Sequence, residues 1–242
     1  MDLIGAGDRP ARRHTGLVAL VSVVLLVAGA LILGLRYDFY PVQTTVMGPA
    51  VERGERVLVA PLADGAGLEA GQVVVVESGA WSDEPSGAEY ILRVGAVGGD
   101  TVSCCGEQGE VLVNGAVRDA ATVSGNAAGA PAFTVTVPEG RVFLLGDRRD
   151  IARDSRAHLG QVGGTVPLSA VKGRAVAKIA PPGAVRGTGS AVTVSANPFD
   201  PAGMYVYATA LLVLGAIGLL YVLARVLPAL SRRRGRVAAG VS

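Results

Sequence analysis

The sequence predicts a mainly β domain, antiparallel and barrel- or sandwich-like, accompanied by two transmembrane α-helices. Three observations predict it: two uncharged apolar runs long enough to cross a bilayer, a series of short β-branched runs between them, and turn residues that punctuate those runs. A hydrophobic fraction of 50% and a mean hydropathy of +0.44 over 242 residues agree with a membrane component. The net charge of +2 is small, and the basic residues gather toward the two ends without interleaved aromatics, so nucleic-acid binding has no support.

Taken in order, residues 1–15 form a short N-terminal segment ending in Arg12, Arg13 and His14. Residues 16–35 are uncharged and span the ~30 Å hydrocarbon core as a helix. A cleaved secretory signal is the rival reading. The run exceeds the usual ~7–15-residue apolar core, and no small-x-small site precedes Arg36-Tyr37-Asp38-Phe39-Tyr40, which points to an uncleaved anchor. Residues 37–180 are the β domain, and 181–203, rich in Pro, Gly, Ser and Thr, read as a linker. Residues 204–227 form the second helix and 228–242 a basic tail with Arg232, Arg233, Arg234 and Arg236. The charged flanks lie outside the helix pair, so the positive-inside bias places both termini in the cytoplasm, the chain in the plasma membrane and the β domain outside it. Tyr37, Phe39, Tyr40, Tyr205 and Tyr207 would line the outer interface.

Inside the domain, Arg56–Ala60, Gln72–Glu77, Tyr90–Val94, Phe133–Val137 and Val142–Leu145 are β-branched or aromatic runs bounded by Gly, Pro or Asp. Asn114-Gly115 between apolar flanks is a hairpin signal. The adjacent Cys104 and Cys105 read first as two ordinary thiols, with a vicinal or intermolecular bridge as the alternatives. Only His14 and His158 could join them around a metal, too few and too far apart in the chain for a metal site.

Three blocks carry a family resemblance. The first is Thr44-Thr45-Val46-Met47-Gly48-Pro49 followed by Gly54-Glu55-Arg56-Val57. The second is Tyr90-Ile91-Leu92-Arg93-Val94 leading into Gly98-Gly99-Asp100. The third is Gly146-Asp147-Arg148-Arg149-Asp150 with Asp154-Ser155-Arg156. In this order they resemble the type I signal peptidases, membrane-anchored Ser/Lys endopeptidases that remove signal peptides from exported proteins, over roughly residues 40–180. The resemblance implies their β fold, no cofactor, and a third block that is structural, with Asp150 and Asp154 paired to arginines such as Arg93, Arg149 or Arg156, beside Asp147.

The chemistry departs from the family. The nucleophile position before Met47 holds Val46, the base position before Arg93 holds Leu92, and the position of a serine that hydrogen-bonds the lysine corresponds to Ala152. A hydrocarbon neither attacks a carbonyl nor accepts a proton, and loss of a nucleophile with its base costs on the order of 10⁶ in rate. Replacing a whole buried polar set by packed aliphatic groups is energetically tolerable, so Val46 and Leu92 are expected to touch. Thr45 is expected to point away from the site by strand alternation, whereas Thr44 matches an oxyanion-binding position. By the resemblance, Val42, Thr44, Met47 and Ile91 stand where the family lines its substrate pockets, although ordinary strand packing explains them equally.

The expected function is therefore that of a signal peptidase homologue without Ser/Lys activity, bound to the lipid bilayer and acting by binding signal peptides, export machinery or an active signal peptidase. Two alternatives stand beside it: an active divergent peptidase using a threonine, and a purely structural envelope protein.

Overall fold

The computed structural model describes residues 9–62, 67–105, 110–117, 131–180, 182–183 and 201–239. The chain divides into two units, residues 1–35 with 194–242 and residues 36–193. Most of the expected linker 181–203 falls outside the described residues.

The first unit is a pair of helices, α1 (Arg9–Arg36) and α2 (Pro201–Ala239). Each contains a stretch long and apolar enough to cross a membrane, His14–Arg36 and Met204–Leu227. The helices run antiparallel, since Gly29 lies against Ala208 and Leu212 while Gly215 lies against Ser22 and Leu26. A Cβ built on Gly215 would sit 2.8 Å from the Ser22 carbonyl oxygen, so glycine is what permits this approach. Small residues at the seam are how helices pack where apolar burial supplies no net drive. Ser22 Oγ donates to the Val18 carbonyl at 2.7 Å, satisfying its hydroxyl within its own helix. Leu17, Leu20, Leu31, Ile217 and Leu220 point outward, the arrangement a hydrocarbon surround favours.

The second unit is antiparallel β throughout the described residues. Its strands are β1 (Asp38–Pro41), β2 (Arg56–Pro61), β3 (Val73–Glu77), β4 (Glu89–Val97), β5 (Thr101–Cys104), β6 (Val111–Val113), β7 (Ala116–Val117), β8 (Phe133–Thr136), β9 (Arg141–Leu145), β10 (Val166–Pro167), β11 (Val171–Ala180) and β12 (Pro182–Gly183). The larger sheet runs β1-β2-β11-β3-β4-β9-β10 with β12 on β11, and the smaller runs β7-β6-β5-β8. The expected runs at 56, 72, 90, 133 and 142 all fall on strands, and Asn114-Gly115 turns β6 into β7 with both residues at positive φ, 52° and 78°.

β3 and β4 are closed on both faces, so they read as continuous apolar runs rather than alternating ones. One apolar cluster gathers Val42, Met47, Val57, Val59, Val73, Val75 and Ile91, and a second gathers Val74, Val76, Trp81, Leu92, Val94 and Leu144. Val46 packs against both. The two cysteines differ from the first expectation: Cys104 and Cys105 are bonded to each other through their sulfurs, across a cis peptide that brings their Cα atoms to 3.0 Å.

Candidate functional site

Val46 sits in a turn, and this corrects the strand alternation expected there. Gly48 N donates to the Thr45 carbonyl at 3.2 Å and Val51 N to the Met47 carbonyl at 3.0 Å, so residues 45–50 follow turn geometry. The turn is anchored by Met47, Ala50 and Val51, all sealed in the core. Thr44 and Thr45 are exposed, and Val46 is half-buried with its carbonyl accepting from Arg148 N at 2.9 Å. That bond ties the first block to the third.

Leu92 lies on β4 opposite Val74 of β3 and is 1% exposed. Gly146, which opens the third block, explains how Val46 and Ala152 come together. A Cβ on Gly146 would overlap that of Ala152 and stand 3.7 Å from that of Val46. Glycine is the spacer here. Val46 and Ala152 thus flank Gly146, and Val46 packs on the cluster to which Leu92 belongs.

No described amine serves this place. Lys172 is 2.8 Å from Glu89 Oε1 and Lys178 2.9 Å from Glu55 Oε1. The hydrogen bond to Glu89 raises the Lys172 ammonium above its ordinary pKa, which keeps it a cation and unfit as a base. His158, the one histidine of residues 36–193, has carboxylates facing both ring nitrogens, Asp83 Oδ1 at 2.9 Å from Nδ1 and Glu84 Oε1 at 3.5 Å from Nε2. It is aimed at no hydroxyl.

Of the four candidate pocket residues, Val42, Met47 and Ile91 are packed inside the first cluster, and Thr44 alone is on the surface. A ligand side chain reaches the buried three only if that cluster opens.

The acid and arginine block braces this geometry, with Asp154 on Arg156 as expected and Arg93 on Asp147 instead of Asp150 or Asp154. Arg93 is wholly buried and forks onto Asp147, Nε to Oδ1 at 2.7 Å and Nη2 to Oδ2 at 2.6 Å, while Nη1 donates to the Gly71 carbonyl at 2.7 Å. Such bidentate pairing fixes two strands in register and in angle. Asp154 accepts from Gly146 N at 3.0 Å and from Arg156 Nε at 2.9 Å, and Arg156 Nη2 reaches the Arg149 carbonyl at 3.1 Å. Asp150 makes a half-exposed pair with Arg148 at 3.2 Å, an arginine other than the three named for it. Arg149 is itself buried.

A second polar cluster was not anticipated. Trp81, Asp83, Glu84, Tyr90, Arg153, His158 and Gln161 join the β3–β4 connection to residues 153–161. The signal available was a lone tryptophan next to an Asp-Glu pair, which without a partner in view reads as an ordinary loop.

Among known proteins, the family model described as "Signal peptidase, peptidase S26" matches residues 14–180. The chain is 37% identical over 114 residues to signal peptidase I of Mycobacterium tuberculosis (strain ATCC 25618 / H37Rv), a match covering 40% of this chain and 38% of that protein. It is 29% identical over 150 residues to signal peptidase I of Bacillus licheniformis, covering 58% and 77%. A crystal structure of a signal peptidase I from Enterococcus faecalis V583 matches at 26% identity over 44% of this chain and 95% of that chain, with a TM-score of 0.33.

Proposed function

This chain belongs to the signal peptidase family, peptidase S26, and from that premise we propose that it is a membrane-anchored member that binds without cleaving, its ligand being a signal peptide or a partner in signal-peptide processing. One observation carries the proposal. Val46 and Ala152 flank Gly146, Val46 packs on the cluster that holds Leu92, and all three bring only hydrocarbon to the positions where the family resemblance puts attack and proton transfer. Both lysines of the domain are engaged with glutamates elsewhere.

The helix pair supports a bilayer partner, and its antiparallel packing supports a topology with both chain ends on one side of the membrane, the cytoplasmic side by charge bias. The acid and arginine frame is intact, which favours a surface held in shape for a ligand. A second reading, a purely structural envelope protein, is favoured by the closure of Val42, Met47 and Ile91 into the core.

The deciding experiment uses the full-length chain and its V46S/L92K/A152S variant against a signal-peptide substrate with a small-x-small site. The native chain should bind and not cleave; the triple variant should cleave, because an enclosed lysine beside a serine regains a neutral amine. Cleavage by the native chain, abolished by T44A or T45A, would sink the proposal in favour of an active divergent peptidase. Neither binding by the native chain nor cleavage by a folded triple variant would leave the structural reading.

A further inference from the structure

One enclosed carboxylate ties together the two chain segments that carry Leu92 and Ala152. Glu84 lies in the connection between β3 and β4, with its side chain only 6% exposed. Tyr90 Oη donates to Glu84 Oε2 at 2.7 Å, and Arg153 Nε donates to Oε1 at 2.8 Å. Tyr90 stands on β4 two residues before Leu92, and Arg153 directly follows Ala152. Each carboxylate oxygen therefore holds a different wall of the site.

The surroundings hold Glu84 itself in place. Ser82 N donates to Gln161 Oε1 at 2.7 Å, Gln161 Nε2 donates to Asp83 Oδ1 at 2.5 Å, and His158 Nδ1 lies 2.9 Å from that same oxygen. Trp81 stacks on His158 with ring centroids 4.5 Å apart and donates from Nε1 to the Gly164 carbonyl at 2.9 Å. Arg153 is 64% exposed, so its ion pair with Glu84 is partly screened by solvent and adds little net stability. What it adds is a fixed distance and direction, since charge-assisted bonds are short and oriented.

We propose that Glu84 is a positioning residue that sets the spacing between β4 at Leu92 and the chain at Ala152, and so shapes the surface around Val46 on which a peptide would lie. The proposal rests on the function proposed above only in calling that surface a peptide site; the spacing is a property of the unliganded chain.

The test uses the full-length chain in lipid nanodiscs with three readouts: amide exchange at Tyr90–Leu92 and Ala152–Asp154, emission of Trp81 (the sole tryptophan), and affinity for a fluorescent signal peptide carrying a small-x-small site. E84A should speed exchange at both segments at least about tenfold and shift Trp81 emission to the red. E84Q has one accepting oxygen where the carboxylate has two, so it keeps Tyr90 or Arg153 but not both and should fall between the native chain and E84A on both readouts. Y90F should loosen the β4 side and leave Ala152–Asp154 as it was, which keeps the proposal testable if E84A does not fold. Exchange in E84A that rises only within residues 82–88, E84Q as perturbed as E84A, or Y90F without effect on β4 would each overturn it. If the native chain binds the peptide, E84A should weaken that affinity about tenfold, and an unchanged affinity would overturn the claim that Glu84 shapes the surface. A native chain that binds no peptide refutes the proposed function, and exchange alone then decides on Glu84.

Discussion

Leu92→Lys is the sharpest probe of the proposed site, because it puts a lysine at the buried position where the family resemblance places the base. Leu92 is 1% exposed and its cluster contains Val74, Val76, Trp81, Val94 and Leu144. Asp147, two positions beyond Arg93's cross-strand partner Leu145, is already committed to the Arg93 fork, so no free carboxylate in that fork waits for a new cation. A lysine sealed among aliphatic groups loses roughly 3 to 5 pKa units from an ordinary ~10.4. The folded pKa is then depressed below the unfolded one, and between the two values the unfolded chain holds a proton that the folded chain has released. Stability must therefore rise with pH across that window, by about 1.4 kcal/mol per unit. From pH 7.5 to 9.5 the L92K variant should gain about 2.7 kcal/mol relative to the native chain. The assay is urea unfolding of the full-length chain in detergent at several pH values, followed by Trp81 emission, with the native chain subtracted at each pH. A difference that stays flat with pH would refute the reasoning, since it would mean that the ammonium reaches water or an anion and that position 92 is not sealed.

Four other outcomes are expected. Asp147→Ala should destabilise the domain by about 3 to 5 kcal/mol by stranding the buried Arg93, and a D147L/R93L double variant should recover much of that loss in the same unfolding assay. Gly146→Ala should cost about 1 to 3 kcal/mol through overlap with Ala152, and G146A/A152G should restore most of it. Burial works to raise the Glu84 carboxyl, but hydrogen bonds from Tyr90 and Arg153 together with the Arg153 charge outweigh it and hold the group below its ordinary value. Its contribution is then present above the unfolded value of about 4.3 and lost as pH falls through the lower folded value; Trp81 emission should shift on acidification in the native chain and not in E84Q. Gly215→Leu should prise the helix pair apart, and engineered cysteines at Leu26 and Leu212 that cross-link in the native background should cease to do so.

The strands and the helix pair were legible because their signals are local. An uncharged run of twenty residues or a β-branched run between turn formers needs no partner to be read, and Asn114-Gly115 specifies its own turn. The family was legible because its three blocks keep their order. Side-chain partners were not. The sequence places Asp147, Asp150 and Asp154 within eight residues, and nothing local says that the first forks onto Arg93, the last caps Gly146 and the middle one stays at the surface. The turn at Val46 was read as a strand because Thr44-Thr45-Val46 is β-branched, a preference overridden by the Gly48-Pro49 pair and by Met47 plugging the core. Glu84 was invisible for the same reason, since its partners stand on β4 and on a segment some seventy residues away.

Strand β11 has a consequence for the order in which the domain can be made. It lies between β2 and β3, pairing Gly173 with both Pro61 and Val75, so the last long strand to leave the ribosome is the one that joins the two earliest parts of the large sheet. Until it arrives, β2 and β3 each present a bare row of donors and acceptors, the condition in which strands pair with the wrong chain. A chain cut before Val171 would therefore be an open sheet with two sticky edges rather than a smaller stable domain.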